Sequence, residues 1–358
     1  MIDVRRIVFV LVILVDVLSG GSYGSADEPP HYDVRYYIDG DGNRQPTMTV
    51  ADWERRRRNV LQRMQEVMGQ LPDQATRLAP TFEVLEETEL VNQIWRQHIR
   101  YEVEPSDWVS AYLLWDKSED EKRPAMLCLH QTTSIGKQEP AGMGGSSNLH
   151  YGLELAQRGY VVFIPDYPSF GDYPYDFDQH SEWKSGSLKA VWNNIRAVDL
   201  LQSLANVEDD RIGVIGHSLG GHNSIFTAVF DQRLKVVVTS CGFTRFHKYY
   251  AGNLRGWTSP RYMPAIDQVY HCDPNQVPFD FPELVAAIAP RGFFTNSPQG
   301  DDNFDCQGVR ETIAAAEFVY KLYEKPENLR AIYPDCQHDF PTEAREQAYR
   351  FLDQHLKP

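Results

Sequence analysis

The chain has 358 residues, of which 42% are hydrophobic and 12% aromatic, enough apolar side chain to bury a sizeable core. Its formal net charge of −15 repels nucleic-acid phosphates and anionic lipid surfaces, so nucleic acid is excluded as an expected partner. No internal repeat or low-complexity tract interrupts it, as expected of a globular protein.

At the N-terminus, Arg5 and Arg6 precede an apolar run from Ile7 to Leu18 broken only by Asp16, and small residues follow through Gly24-Ser25-Ala26. This is the layout of a secretory signal peptide over 1–26, cleaved near Ala26, which predicts a secreted or periplasmic protein. The run falls short of the about 20 apolar residues of a membrane span. No stable membrane insertion is expected once the segment is removed; an uncleaved anchor is the alternative.

Residues 27–123 read as an N-terminal extension. A helical pattern over 51–70 carries the basic run Arg55 to Arg58, expected as a solvated face, and strands over 83–90, 95–104 and 109–115 look antiparallel. From 124 onward strands and helices alternate. Strands are expected at 124–130, 160–165, 211–215, 234–240, 291–296 and 329–333. Helices are expected at 148–158, 185–204, 218–230, 308–324 and 342–355, with an irregular, aromatic-rich insert around 243–281. Continuous apolar strands alternating with helices predict an α/β fold, a mostly parallel sheet covered on both faces.

The chemistry begins at Gly216-His217-Ser218-Leu219-Gly220, a G-x-S-x-G pattern with an apolar strand before it and a helix after it. Residues without Cβ allow the sharp strand-to-helix turn that lifts the serine hydroxyl above the sheet edge. Gly20-Gly21-Ser22-Tyr23-Gly24 matches the same pattern but has neither flanking element. Ser218 is therefore the expected nucleophile.

A serine hydroxyl needs an imidazole to take its proton, and the imidazole needs a carboxylate to hold its tautomer. His222, His247, His271 and His338 follow Ser218 ahead of the last helix. His222 lies four residues along the same helix, expected to point away from the active edge. His338 follows the last apolar strand and precedes the last helix, where a loop presents it at the sheet edge. The strand ending at 296 leads into Asp301, Asp302 and Asp305. Asp301, first after the strand and preceded by Gly300, is the favoured acid; Asp302 is the alternative, and the unchosen acids are expected in solvent or at a helix cap near Gly308. The oxyanion donors are expected to be the backbone N–H groups of Leu219 and Gln131, with Thr132 as fallback.

His130-Gln-Thr-Thr, Gly136-Lys137, Arg158-Gly-Tyr-Val-Val, Pro165-Asp-Tyr-Pro-Ser-Phe-Gly171, the Ser218 motif and His338-Asp-Phe together resemble the dienelactone hydrolase and acetyl xylan esterase-like branch of the α/β-hydrolases. A similarity to the prolyl oligopeptidase-type hydrolase domain is also visible. The resemblance runs from about 124 to 355 and implies Ser218, Asp301 and His338 as a triad hydrolysing esters without metal or other cofactor. Two departures stand out. The cysteine nucleophile of dienelactone hydrolases proper is missing, and the arginine that follows the serine in the related glucuronoyl esterases is replaced by Leu219.

The expected substrate is a small-molecule or polysaccharide ester, acetylated plant or algal polysaccharide in particular. Loop 167–183 and the insert are rich in rings that suit sugars. Tyr173, Trp257 and Tyr262 are the candidate substrate contacts, against the alternative that such rings fill the insert's own core. Competing readings are a secreted serine peptidase, for which the N-terminal segment is too short to form a propeller, and a non-catalytic hydrolase-fold binding protein. A zinc hydrolase is disfavoured, since His217 and His222 lie on different helix faces and no H-E-x-x-H occurs. Cys128, Cys241, Cys272, Cys306 and Cys336 are odd in number and lack metal-ligand spacing; Cys128 and Cys241 are expected as buried thiols.

Overall fold

A computed structural model describes residue 31 and residues 33–73, 77–90, 93–117, 121–180 and 182–357. The expected leader 1–26 lies outside the described residues. A short antiparallel ribbon, β1 (Tyr36–Ile38) with β2 (Arg44–Pro46), precedes α1 (Val50–Met68). A capping box starts α1: the Thr49 side chain accepts from the Asp52 N–H while Asp52 accepts from the Thr49 N–H.

The basic run on α1 corrects the expectation of a solvated face. Arg55 and Arg58 are exposed, but Arg56 and Arg57 are buried. Arg56 Nη2 lies 2.6 Å from Glu283 Oε1, and Arg57 donates to the carbonyls of Ala287 and Val229. Helical spacing turns 56 and 57 inward together with Trp53 and Val60, so these guanidiniums bolt α1 to the body of the protein.

One nine-stranded sheet follows, built from β3 (Phe82–Glu89), β4 (Ile94–Glu104), β5 (Asp107–Asp116), β6 (Arg123–Leu129), β7 (Val161–Pro165), β8 (Val207–His217), β9 (Leu234–Ser240), β10 (Gly292–Asn296) and β11 (Leu329–Ile332). Its order is β11-β10-β9-β8-β6-β7-β5-β4-β3. The strands from β6 to β11 pair in parallel, whereas β3, β4 and β5 are antiparallel, as expected for the opening strands. Every residue of β6 and β7 is buried, the mark of a sheet covered on both faces.

The covering helices are α2 (Tyr151–Gln157), α3 (Gly186–Ser203), α4 (Leu219–Phe230), the short α5 (Ala265–Gln268), α6 (Phe281–Ala286), α7 (Cys306–Leu322) and α8 (Thr342–Leu356). Tyr151, Leu155, Phe351 and Leu352 of α2 and α8 pack one face, and α1, α3, α4, α6 and α7 fill the other. Helix α6 falls at the end of the stretch read as irregular. Asp280 caps it, with Oδ1 accepting from the Phe281 N–H at 2.7 Å, and Pro282 fits its first turn.

The chain leaves β6 toward β7 on one side and returns to β8 on the other. The loops after β6 and β8 therefore diverge at the carboxyl edge, and a crevice opens there.

Candidate active site

Ser218 stands between β8 and α4 with φ 53° and ψ −116°, a left-handed conformation that non-glycine residues seldom adopt. Its N–H donates to the Ser240 carbonyl at 2.8 Å, pinning the turn to the end of β9. A Cβ at Gly216 would run into the carbonyl of Gly220, and one at Gly220 into the carbonyl of Leu129. The motif's glycines thus let α4 start against the end of β6. This packing sets Leu219 beside the segment that carries Gln131.

His338 lies in the loop between β11 and α8, and Asp301 in the loop after β10. The His338 Nδ1 is 3.0 Å from both Asp301 oxygens, and the Asp301 side chain has no solvent exposure. Asp301 Oδ1 also accepts from the N–H groups of Asn303 and Phe304 at 2.8 and 3.1 Å. Burial alone pushes this carboxyl up, but the hydrogen bond and electrostatic attraction of His338 and the two N–H groups hold it below the usual range. A carboxylate only accepts, so Nδ1 carries the proton and Nε2 keeps its lone pair. Asp302 is exposed, while Asp305 caps α7 through the Gly308 N–H at 2.9 Å.

The structure brings His338 to the Ser218 turn. Its ring meets that of His217, the residue before the serine, edge-on at 4.8 Å, and stacks on Phe304 at 6.1 Å. His217 Nδ1 is held by Ser240 Oγ at 2.9 Å, and burial with His338 nearby pushes its pKa down to about 3. Asn296, at the end of β10, donates to Ser240 Oγ (2.8 Å) and to the Asp339 carbonyl (2.9 Å), tying the histidine loop to β9.

On the β6 side of the crevice, Tyr167 N–H donates to His130 Nε2 at 2.9 Å, which requires His130 to carry its proton on Nδ1 and donate to the Gln131 carbonyl at 2.6 Å. The Gln131 amide is anchored on Glu139 at 2.9 and 3.1 Å. A buried ion pair missed from sequence fixes the loop further. Lys137 Nζ lies 2.8 Å from Asp166 Oδ2 with neither side chain exposed, and Asp166 Oδ1 accepts from the Lys137 N–H. Gly136 and Gly171 flank this carboxylate where a Cβ would collide with it. The Gly136-Lys137 turn and the Asp166–Gly171 segment were the available signals.

The other histidines separate clearly. His271 is exposed, and the half-buried His247 bonds to Asn275 Oδ1. His222 is not turned away from the active edge as expected. It lies under the insert against Trp257 and Tyr262, and burial pushes its pKa down to about 3. One turn of α4 carries it there because the insert folds back over that helix.

Of the candidate substrate rings, Tyr262 places its hydroxyl 3.2 Å from Thr132 Oγ1 in the loop after β6. Trp257 is corrected to the alternative: 3% exposed, it packs among Phe246, Tyr249, Phe281 and Phe304 and fills the insert's own core. Tyr173 is a correction: it is 4% exposed and its hydroxyl bonds to both Asp107 oxygens at 2.9 Å, leaving no face for a ligand. Leu219 is buried against Tyr167, Phe170 and Ala190, with Tyr262 over the patch.

All five cysteines are free thiols, and Cys128 and Cys241 are buried as expected. Among the described residues, His217, Cys241 and His338 form one group of metal-ligand types with donor atoms within 4.8 Å. The Nδ1 atoms of His338 and His217 are held by Asp301 and Ser240.

Residues 175–323 match a family model described as glucuronyl esterase, fungi. YtaP of Bacillus subtilis (strain 168), described as a hydrolase, is 26% identical over 305 residues, covering 81% of this chain and 96% of that protein. The glucuronoyl esterase from Solibacter usitatus superposes with a TM-score of 0.69 at 18% identity, covering 92% of this chain and 98% of its own. Acetyl xylan esterase 1 from Thermoanaerobacterium sp. JW/SL YS485 superposes with a TM-score of 0.55 at 15% identity, covering 84% and 94%. At these identities the likeness to solved structures is one of fold.

Proposed function

We propose that this chain, an α/β-hydrolase of the carboxylic ester hydrolase class, is an exported carbohydrate esterase that removes acetyl groups from polysaccharide through a Ser218 acyl-enzyme. The observation that carries the reading is the Asp301–His338 pair at 3.0 Å, set beside the strained Ser218 turn. Ser218 Oγ attacks the acyl carbon as its proton passes to His338 Nε2. The N–H groups of Leu219 and Gln131 receive the developing oxyanion, each worth about 3–4 kcal/mol in such sites. Collapse expels the sugar oxygen, which takes the proton from His338. Water, deprotonated by the same Nε2, then attacks the acyl carbon and frees the acid, restoring Ser218.

Acetate is favoured because Leu219 is buried in an apolar patch, where the notable alternative would be an arginine gripping a uronate. Among the described residues no helix is long and apolar enough to cross a membrane, which is compatible with export. Hydrolysis of glucuronoyl esters is the second reading, favoured by the family-model match over 175–323.

Acetylated xylo-oligosaccharide, a uronate methyl ester and nitrophenyl esters of acetate and longer acids separate the two. Acetate release should dominate, and fluorophosphonate should label the wild type but not Ser218→Ala. Preference for the uronate ester, or equal release of acetate and longer acids, would overturn the acetyl assignment. Labelling of Ser218→Ala would overturn the mechanism.

A further inference from the structure

We propose that the groove between the 175–178 loop and the 259–261 segment is a second sugar subsite, taking an uncharged pyranose unit of the polysaccharide whose ester is cleaved at Ser218. The inference rests on the carbohydrate-esterase reading above and deepens it.

The groove has a volume of about 450 Å³, within the range of small-ligand sites, and is lined by Ser169, Tyr175, Phe177, Asp178, Pro260 and Arg261 among others. One wall is unusually well anchored. Three successive carbonyls are pinned: Pro260 accepts from the Gly186 N–H at 2.8 Å, Arg261 from the Tyr167 hydroxyl at 2.6 Å and Tyr262 from the Ser187 N–H at 3.2 Å. A Cβ at Gly186 would collide with the Arg261 backbone, so this approach requires glycine there.

The Arg261 side chain is also held in place. Its Nε donates to Ser169 Oγ at 2.7 Å, from a serine with φ 70°, and its guanidinium lies 4.5 Å from the Phe170 ring centroid. Arg261 is exposed and makes no ion pair with a described residue, so its terminal nitrogens remain donors without a carboxylate. Such a guanidinium is preorganised for a ligand and loses little freedom on binding.

The facing wall offers the complementary chemistry. Phe177 presents a partly buried ring, and the exposed Asp178 presents an acceptor. An aromatic face for the ring C–H groups, a carboxylate and a guanidinium for vicinal hydroxyls form a site for a pyranose. Asp176 and Asp178 outnumber the single arginine, and the whole chain carries −15, so an uncharged sugar fits and a polyuronate is repelled. The groove adjoins the reaction because Tyr262, next to Arg261, touches Thr132 of the oxyanion loop.

The test uses two variants, Arg261→Ala and Phe177→Ala. Each is assayed on acetylated xylotetraose, acetylated xylose and nitrophenyl acetate, and Ser218→Ala carries direct binding of unacetylated xylotetraose by calorimetry. The expected result is an about tenfold fall in kcat/KM for the tetrasaccharide relative to both small substrates, expressed in KM, with a matching loss of xylotetraose binding when Arg261→Ala is added to Ser218→Ala. Equal losses on all substrates, no loss on any, or tighter binding of oligogalacturonate than xylotetraose would overturn the subsite. If the wild type cleaves nitrophenyl acetate but no acetylated sugar while the Ser218→Ala protein binds xylotetraose through Arg261, the carbohydrate-esterase reading fails and the subsite stands.

Discussion

His338 Nδ1 lies 3.0 Å from both carboxylate oxygens of Asp301, while Asp302, one residue further, is exposed. The shared contact dictates the proton's position on the ring, so an amide at 301 should favour the wrong tautomer. Asp301→Asn is expected to lower kcat on nitrophenyl acetate by about 10⁴-fold. Asp302→Asn should stay within about twofold, as for surface substitutions generally. Comparable losses in the two variants would reject Asp301 as the triad acid.

At Gly220, an added methyl would meet the Leu129 carbonyl, which belongs to the strand that leads into the loop carrying Gln131. Relief requires α4 and β6 to separate. Gly220→Ala should lower stability by about 1–3 kcal/mol, as overpacking does. A shift of about 1 Å between Leu219 and Gln131 should also lower kcat/KM by about 10²-fold. Gly40, with nothing within 4 Å of its added Cβ, is the control, and Gly40→Ala should leave both unchanged. Urea unfolding and ester assays read the two effects.

Lys137 and Asp166 are paired with no solvent at either side chain. Lys137 Nζ also reaches the half-exposed Asp172, but Asp166 has no other cation beside it among the described residues, so Lys137→Met leaves a buried uncompensated carboxylate and should cost about 3–5 kcal/mol. Replacing both, with Asp166→Leu added, should recover part of the stability. The backbone of the loop after β6 also loses its Asp166 acceptor in the double variant, so activity should recover less than Tm. Equal recovery of both would argue against a positioning role for the pair.

His222 is buried and neutral, with its pKa pushed from 6.5 to about 3 by desolvation. The unfolded chain therefore binds a proton that the folded chain refuses. This contribution to stability is fully present above pH 6.5 and is lost as pH falls toward about 3. His222→Phe should flatten the decline of unfolding free energy across that window. A curve with unchanged slope between those pH values would count against a neutral, desolvated His222.

Much of this architecture is visible in local pattern. The runs at 124–130, 160–165 and 234–240 are continuous apolar segments, and they became β6, β7 and β9 within a residue or so of the expected ends. The glycine spacing around Ser218 marks the turn because the steric need for a missing Cβ is local, and His338 stands out by its place after the last strand. Arg56, Arg57 and Tyr173 misled because charge and hydroxyl groups predict exposure only when no buried partner awaits them. Their partners, Glu283, Ala287 and Asp107, are distant in the chain. Strand β8 runs from Val207, earlier than its apolar stretch, because Val207 pairs with Arg123 across a register shift before regular pairing resumes at Ile212.

Periodicity and glycine placement act over a few bonds, and they are enough to specify the element types, the tight Ser218 turn and the loop that bears His338. The pairing of His338 with Asp301 rather than Asp302, the tautomer of His130 and the clamp at Lys137 depend on directions in space. Neighbouring residues on one loop point opposite ways, and His338 selects between them from 37 positions away. Such contacts depend on strand order and loop packing, which arise only when the whole sheet has assembled.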